Sequence, residues 1–415
     1  MKETMKTILK DFRHFFRWAI YSSIVGVAIG LVGTVFVKAL HTVNDFRGEN
    51  PAIIWGLPIA GIIIVTLYKV CNYENDGGTN LVISTIHEKS TIPFRMAPLI
   101  FISTLLTHMF GGSAGREGAA LQLGGSIGNQ FGRWFKLKES DIRTIVMCGM
   151  SAAFAAIFGT PMAAVIFAME VNKVGVMYYS AFVPCVISAL SASSIANSFG
   201  VHAEYFGEVE AIAFKAIPSL KIALLGILCA AISVLFCMLL HKASALYKQY
   251  LKNTYVRIVV ASFIIIALTY LLGTNAYSGA GANLIEEAIA GHAPKSAFLW
   301  KMIFTAVTLG AGFKGGEIVP SFTIGATFGC LFGSLVGLPP SLCAAVGMIS
   351  LFCGVTNAPI ASMIIGFELF GLDIMQYLLI GVSISYMMSG YYSLYHEQKI
   401  VYSKFHTKYV NRDTK

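Results

Sequence analysis

Long apolar runs, repeatedly interrupted, constrain this chain more than any other feature. They lie near residues 18–41, 52–71, 94–110, 142–170, 175–199, 219–240, 256–273, 298–312 and 318–390. Several reach the roughly 20 residues that an α-helix needs to cross a hydrocarbon layer. Others are shorter, or are cut at Gly111-Gly112, Gly159-Thr160-Pro161, Gly315-Gly316 and Asn357-Ala358-Pro359. At membrane depth, non-helical backbone survives only where protein or a water-lined cavity satisfies its N–H and C=O groups. Broken helices therefore point to an ion or substrate site inside a helical bundle. Only 12% of the 415 residues are charged, about half the share of a soluble domain. That shortage excludes an ordinary cytosolic enzyme, a disordered chain and a disulfide-built secreted scaffold. The fold class expected is an all-α polytopic membrane protein.

The net charge of +9 matters less than its placement. Lys2, Lys6, Lys10, Arg13 and Arg17 precede the first long run, and Lys399, Lys404, Lys408, Arg412 and Lys415 follow the last. Cations flanking spans mark the cytoplasmic side. Both termini are thus expected in the cytoplasm of a multi-pass cell-membrane protein, with an even number of crossings. A nucleic-acid partner is not expected, because these cations are few and border lipid-length segments. Residues 1–14 read as a cytoplasmic amphipathic N-terminal helix, too polar for a signal-peptide core. The eight cysteines sit mostly in apolar runs without C-x-x-C spacing, as packing thiols do. Metal-binding H-E-x-x-H and phosphate-binding G-x-x-x-x-G-K motifs are missing from the sequence, so no metal or cofactor is expected. G-x-S-x-G matches occur at Gly111–Gly115 and Gly124–Gly128, but lipid-length flanks are not the strand-to-helix setting of a nucleophile elbow.

The chain repeats itself. Gly149-Met150-Ser151 matches Gly347-Met348-Ile349, Thr160-Pro161-Met162-Ala163 matches Ala358-Pro359-Ile360-Ala361, and Glu170 matches Glu368, all at an offset of 198 positions. Gly115-Arg116-Glu117 pairs with Gly315-Gly316-Glu317 at offset 200. The boundaries expected are a first membrane repeat over 15–200, a linker over 201–217, a second repeat over 218–396 and a cytoplasmic tail over 397–415. Paired repeats with interrupted helices at corresponding positions are a transporter pattern, with the site at their interface near mid-membrane. Inverted rather than parallel repeats are the expected topology.

Gly111-Gly112-Ser113-Ala114-Gly115-Arg116-Glu117-Gly118-Ala119 is the most informative segment. Its glycines make a loop with exposed amides just before an apolar run, and amides at a helix N-terminus bind anions. Glu117 adds a carboxylate at the depth of the apolar runs, where an ionised group must face protein or a cavity. Ionised, Glu117 can occupy the amide-lined site; protonated, it competes poorly and leaves. One side chain is then both proton carrier and competitor for a transported anion. Simple helix capping is the alternative. Thr79 and Asn80, with one O–H and two N–H donors, suit either an anion or helix N-caps.

Gly115-Arg116-Glu117-Gly118 resembles the GREG motif of the CLC family of anion channels and transporters. The Gly149–Glu170 segment, Gly316-Glu317-Ile318-Val319-Pro320 and Ser393-Leu394-Tyr395 occur in the family's order, so the resemblance covers most of the chain. It implies a homodimer of inverted-repeat subunits, each with its own pore, and Glu117 as the gating glutamate. The nucleotide-binding regulatory modules of many eukaryotic members are not expected, since no long tail follows Lys415. The departures are specific. The GSGIP element of chloride-handling members corresponds to Asp76-Gly77-Gly78-Thr79-Asn80-Leu81-Val82-Ile83. Ile318 replaces a phenylalanine, Ala119 a proline, and the second proton-relay glutamate of chloride/proton exchangers falls on Val171. This combination is similar to the fluoride/proton antiporter branch.

The function this implies is fluoride export against proton influx, with chloride at most a weak substrate. Fluoride is strongly hydrated, so a site that strips its water must offer strong donors. Those expected are Thr79, Asn80, the Tyr395 phenol and backbone amides of Gly78–Asn80, Gly118–Ala119 and Ile318–Val319. Choosing Tyr395 over its neighbours Tyr391 and Tyr392 rests on the family's Leu-Tyr spacing. Glu317 is an accessory candidate, as proton relay, hydrogen-bond partner of Tyr395 or structural cap. Glu170 and Glu368 are expected in helix-end packing, Arg116 and His108 in satisfying nearby polar groups, and Glu286 and Glu287 on a water-facing side. The alternatives are a passive fluoride or chloride channel, or a chloride/proton exchanger, of the same fold. An intramembrane enzyme pairing Glu117 with Glu317 would need a water-activating partner that is missing nearby.

Overall fold

The computed structural model describes residues 2–74, 76–87 and 91–415. At two equivalent breaks a helix ends where glycine or asparagine takes a left-handed conformation and the next one starts at proline. The break at Gly159 (φ 78°, ψ 15°) is followed by Thr160 (φ −116°, ψ 77°) and a helix starting at Pro161. Its repeat, Asn357 (φ 56°, ψ 32°), is followed by Ala358 (φ −117°, ψ 74°) and a helix starting at Pro359. Glycine and asparagine tolerate positive φ, and proline at N1 lacks only an N–H that would be unpaired anyway.

The first half comprises α1 Lys2–Glu49, α2 Leu57–Val70, α3 Gly78–His87, α4 Met96–Met109, α5 Glu117–Trp134, α6 Glu139–Phe158, α7 Pro161–Glu170 and α8 Phe182–Ser198. The second comprises α9 Ala216–Tyr250, α10 Thr254–Leu272, α11 Ala282–Ile289, α12 Ala297–Ala311, α13 Ile318–Val336, α14 Pro340–Thr356, α15 Pro359–Phe370 and α16 Met375–Met388. Equivalent helices keep equivalent neighbours. Thus α5 packs on α6 as α13 does on α14, and α1 packs on α6 and α8 as α9 does on α14 and α16. The closest packing uses paired glycines: a methyl on Gly124 would strike the Gly149 carbonyl, and one on Gly325 the Gly347 carbonyl. Small residues let helix backbones approach in this way. Across the halves, rings of Phe154, Phe167, Phe352, Phe322 and Phe158 follow one another at centroid distances of 5.4, 5.7, 4.9 and 5.6 Å.

Among the described residues, seven helical segments are long and apolar enough to cross a bilayer, and shorter apolar helices such as α4, α7 and α12 lie among them. Residues 2–14 do not form a helix of their own. They are the first turns of α1, whose 48 residues extend about 72 Å, well beyond the hydrocarbon layer. Residues 201–215 are irregular, and α9 begins at Ala216. The run 318–390 divides into α13 to α16. The C-terminal tail adds strands to an otherwise helical chain: β1 Lys173–Val174 pairs in parallel with β2 Lys399–Tyr402, which pairs antiparallel with β3 Tyr409–Asp413.

Candidate functional site

Two broken-helix loops meet between the halves. Gly115 and Gly316 exchange both backbone hydrogen bonds, N to O at 2.6 and 2.7 Å, as one antiparallel bridge. Repeat-equivalent residues joined reciprocally and antiparallel lie on a local twofold axis. The pairing also corrects the register expected from sequence: Gly115 faces Gly316, not Gly315. The approach leaves no room for a side chain, since a Cβ on Gly316 would lie 2.5 Å from the Gly118 nitrogen, and one on Gly118 2.9 Å from the Gly316 Cα.

Four of the five amides of Gly111–Gly115 are spent within the protein. Gly111 and Gly112 N–H bond to the carbonyls of His108 and Thr107, Gly115 N–H to Gly316, and Ser113 N–H to Thr308 Oγ1 at 3.1 Å. All of Gly111–Gly115 is buried, so these groups must be paired within the protein. The loop is the mount. The amides without a backbone partner among the described residues are one step further on, at Gly118 and Ala119 of α5 and at Ile318 and Val319 of α13, where the helices have no preceding turn. Among the described residues, Thr79 and Asn80 at the start of α3 likewise have no backbone acceptor for their N–H groups. Gly78 departs from expectation: its N–H is held by Asp76 Oδ1 at 2.9 Å.

The three helix starts converge. Thr79 Oγ1 lies 3.4 Å from the Gly118 carbonyl and accepts from Gln122 Nε2 at 3.2 Å. Gln122 stands one turn beyond Gly118, so α5 fixes both. The Glu317 carboxylate lies over Gly118, with Oε2 3.2 Å from where a Cβ would stand. Glu117 is fully buried and its carboxylate turns back on its own helix start. Oε2 accepts the Arg116 N–H at 3.1 Å, and Oε1 lies 3.4 Å from Arg116 Nε. Arg116 also ion-pairs with Glu204 of the segment between the halves. Tyr395 is fully buried, and its hydroxyl has no hydrogen-bond partner among the described residues. It lies within electrostatic reach of both Glu317 and Glu117. Its neighbours differ, because the Tyr391 hydroxyl meets Ser403 Oγ at 2.9 Å. Asn80 Oδ1 accepts the Glu397 N–H at 3.2 Å, which ties α3 to the Tyr395 segment and leaves the amide's N–H donors for another partner.

Several supporting residues escaped the sequence reading. Lys314 Nζ pairs with Asp76 Oδ2 at 2.8 Å, joining the start of α3 to the loop before α13. Lys301 is fully buried in α12, where it donates to Ser113 Oγ (3.0 Å), Tyr277 O (3.2 Å) and Gly279 O (2.6 Å). A lone lysine in an apolar run was a visible signal. Arg47 Nη1 holds the His108 carbonyl at 2.7 Å, while His108 Nε2 lies 3.4 Å from the Gly115 carbonyl. Glu286 and Glu287 are exposed. The eight cysteines are free. Gly124–Gly128 lies inside α5 and is no nucleophile elbow. A cavity of about 670 Å³ reaches Glu117 and Val319 from the C-terminal end of α1, lined by His41, Arg47, Arg116 and Glu204 among others. Its walls carry charges of both signs, with Asp45, Glu49 and Glu286 beside Arg47 and Arg116.

Comparison with known proteins agrees with this geometry. A "Chloride/fluoride channel protein" of Pseudomonas syringae pv. tomato is 35% identical over 399 residues, covering 94% of this chain and 88% of the relative. The "H(+)/Cl(-) exchange transporter ClcA" of Vibrio campbellii is 26% identical over 383 residues, covering 84% and 81%. The crystal structure of a CLC-type fluoride/proton antiporter superposes with a TM-score of 0.89 at 34% identity, over 92% of this chain and 98% of that one. A slow cyanobacterial Cl⁻/H⁺ antiporter shares the fold, with a TM-score of 0.79 at 20% identity and coverage of 90% and 94%. Residues 60–390 match the family model described as voltage gated chloride channel. This chain is a multi-pass membrane protein and belongs to the CLC family of voltage gated chloride channels.

Proposed function

We propose that the chain is a fluoride/proton antiporter that exports fluoride against proton influx. The reading rests above all on Glu117: a buried carboxylate folded onto a helix start whose next amides, with those of α3 and α13, have no backbone partner among the described residues. Ionised, it holds the positive end of α5. Protonated, it yields that position to an anion and carries the proton. Thr79 Oγ1, the Asn80 amide and the Tyr395 hydroxyl add donors, and strong donors are what a strongly hydrated anion requires. The likeness to a solved fluoride/proton antiporter, at 34% identity, supports the choice of ion. With both termini cytoplasmic, the cavity that reaches Glu117 is the external vestibule, and the working unit is a homodimer with one pore per subunit.

A passive channel is the second reading, favoured by the name of the Pseudomonas relative. A channel responds only to the anion gradient and the voltage, whereas exchange adds the proton gradient. Sealed proteoliposomes with a fluoride gradient and the membrane potential clamped at zero separate the two. Protein-free vesicles give the baseline for unaided hydrofluoric acid leak. The expected result is proton movement above that baseline, lost in Glu117→Gln. Fluoride flux without proton movement in the wild type would establish the channel.

A further inference from the structure

We infer that His241 and His396 form the proton-transfer site at the cytoplasmic end of the pathway, beyond Glu317 and Tyr395. The inference rests on the antiport reading above. Ser233, Cys237 and His241 recur every four residues on α9 and so share one face. Ser233 and Cys237 are buried in the core, and Cys237 is within electrostatic reach of Glu317 and of Tyr395. One turn further out, the His241 ring lies 3.7 Å from the His396 ring, centroid to centroid, at an interplanar angle of 31°. Among the described residues His241 Nε2 is buried without a partner, while the ring's hydrogen bond goes to the Leu394 backbone. His396 follows Tyr395 directly and is exposed. The pair thus links water to the segment that carries the Tyr395 hydroxyl.

That segment is fixed from several directions. Leu394 N–H bonds to the Val355 carbonyl, Tyr395 N–H to Ser393 Oγ, and Thr414 Oγ1 to the Tyr395 carbonyl. Asn80 holds Glu397, so the anion-binding end of α3 and the histidine pair share one rigid mount. The charged and titratable groups around the pair are Lys248 on α9 and Glu397 beside His396, with Cys237, Glu317 and Lys404 deeper in. Histidine is the side chain whose ordinary pKa falls nearest to neutral. Two imidazoles in van der Waals contact resist double protonation, so the pair passes one proton at a time. A proton arriving from the Glu317 side binds His241 Nε2, making it imidazolium. Because the rings meet face to face, the proton leaves His241 by way of water that reaches the exposed His396, whose imidazole takes it up and releases it to bulk, which restores the neutral pair.

The test is proton flux driven by a fluoride gradient in voltage-clamped proteoliposomes, at equal pH on both sides, from about pH 5.5 to 8 so as to bracket the ordinary imidazole range. His241→Gln and His396→Gln are compared with wild type. Exposed His396 can be replaced without disturbing the core. At least tenfold slower proton flux is expected for His241→Gln, and about threefold slower for His396→Gln. Wild type should show an inflection in proton flux within this range or on its acid side, and both variants should lose it. Wild-type flux and an unchanged inflection in both variants would overturn the histidine assignment and leave the antiport reading standing. Absence of proton flux in the wild type itself would overturn both.

Discussion

Glu170 and Glu368 cap each other's half of the molecule. The Glu170 carboxylate, at the end of α7, accepts the N–H groups of Ile360 and Ala361 at 3.2 and 2.8 Å at the start of α15. Glu368, at the end of α15, accepts those of Met162 and Ala163 at 2.9 and 2.8 Å at the start of α7. Each carboxylate faces a positive helix end, and neither touches the anion-facing amides. Each alanine substitution should therefore cost about 1–3 kcal/mol of stability, and each glutamine substitution less, since one acceptor oxygen remains. Thermal melting of purified protein in detergent checks this. Unchanged melting of Glu170→Ala would remove the capping assignment.

These caps show what a sequence can and cannot disclose. The constant offset placed Glu170 and Glu368 at equivalent positions and suggested helix ends, but only the twofold arrangement makes each serve the other half. The breaks at Gly159 and Asn357 were legible because positive φ followed by proline has few backbone solutions. The loop before Glu117 looks more open in sequence than it is. Four glycines suggest openness, yet the buried loop must spend its N–H groups on Thr107, Thr308 and Gly316. Lys314 with Asp76, and His241 with His396, are pairings between distant segments that no local pattern encodes.

Thr79 joins the site by two contacts, to the Gly118 carbonyl and from Gln122. Thr79→Ala removes the hydroxyl that meets the Gly118 carbonyl and leaves the Gln122 amide without its acceptor. Its stability should fall by about 1–2 kcal/mol, and the fluoride-to-chloride flux ratio should fall about tenfold. Thr79→Ser keeps the hydroxyl and should retain most of both. Asn80→Ala should lower the same ratio while also loosening Glu397. Unidirectional fluxes of the two halides measure these ratios, and unchanged selectivity in both alanine variants would exclude these side chains from the site.

Gly115 carries the bridge between the halves. A Cβ there would meet Pro320 Cδ at 2.9 Å and the Gly316 carbonyl oxygen at 3.1 Å, besides Glu117 Oε2 at 3.1 Å. Gly115→Val should force the two loops apart and reduce fluoride transport at least a hundredfold, with a smaller loss for Gly115→Ala. Wild-type transport by the valine variant would mean that the bridge does not set the position of Glu117.

Lys301 is a buried cation held by a hydroxyl and two carbonyls, with no carboxylate paired to it among the described residues. Burial of a charge is tolerated when its donors are satisfied, and here they brace Ser113 against the Tyr277–Gly279 turn. Lys301→Met fills similar volume but leaves those acceptors unpaired. A loss of about 2–4 kcal/mol is expected, with slowed transport from a slack loop. Circular-dichroism melts and efflux assays on the same preparation check it, and a variant more stable than wild type would show that the charge is a burden rather than a brace.

Asp76 has two separate duties, one per oxygen: Oδ1 caps Gly78 and Oδ2 pairs with Lys314. The Asp76 side chain is 3% exposed and that of Lys314 22%, and the lysine also lies over the Tyr68 ring at 4.3 Å. Screening by water is therefore limited on the carboxylate side, and the pair should exceed the usual worth of a surface ion pair. Asp76→Asn keeps an acceptor for Gly78 but removes the charge, whereas Asp76→Ala removes both. The alanine variant should be the less stable by about 1 kcal/mol, the typical value of a helix cap. A double-mutant cycle with Lys314→Met should give a coupling of about 1–2 kcal/mol. Because the pair links the α3 start to the α13 loop, its loss should also lower fluoride selectivity without touching any donor to the anion. A coupling indistinguishable from zero, with selectivity intact, would show that α3 is held in place by Thr79 and Asn80 alone.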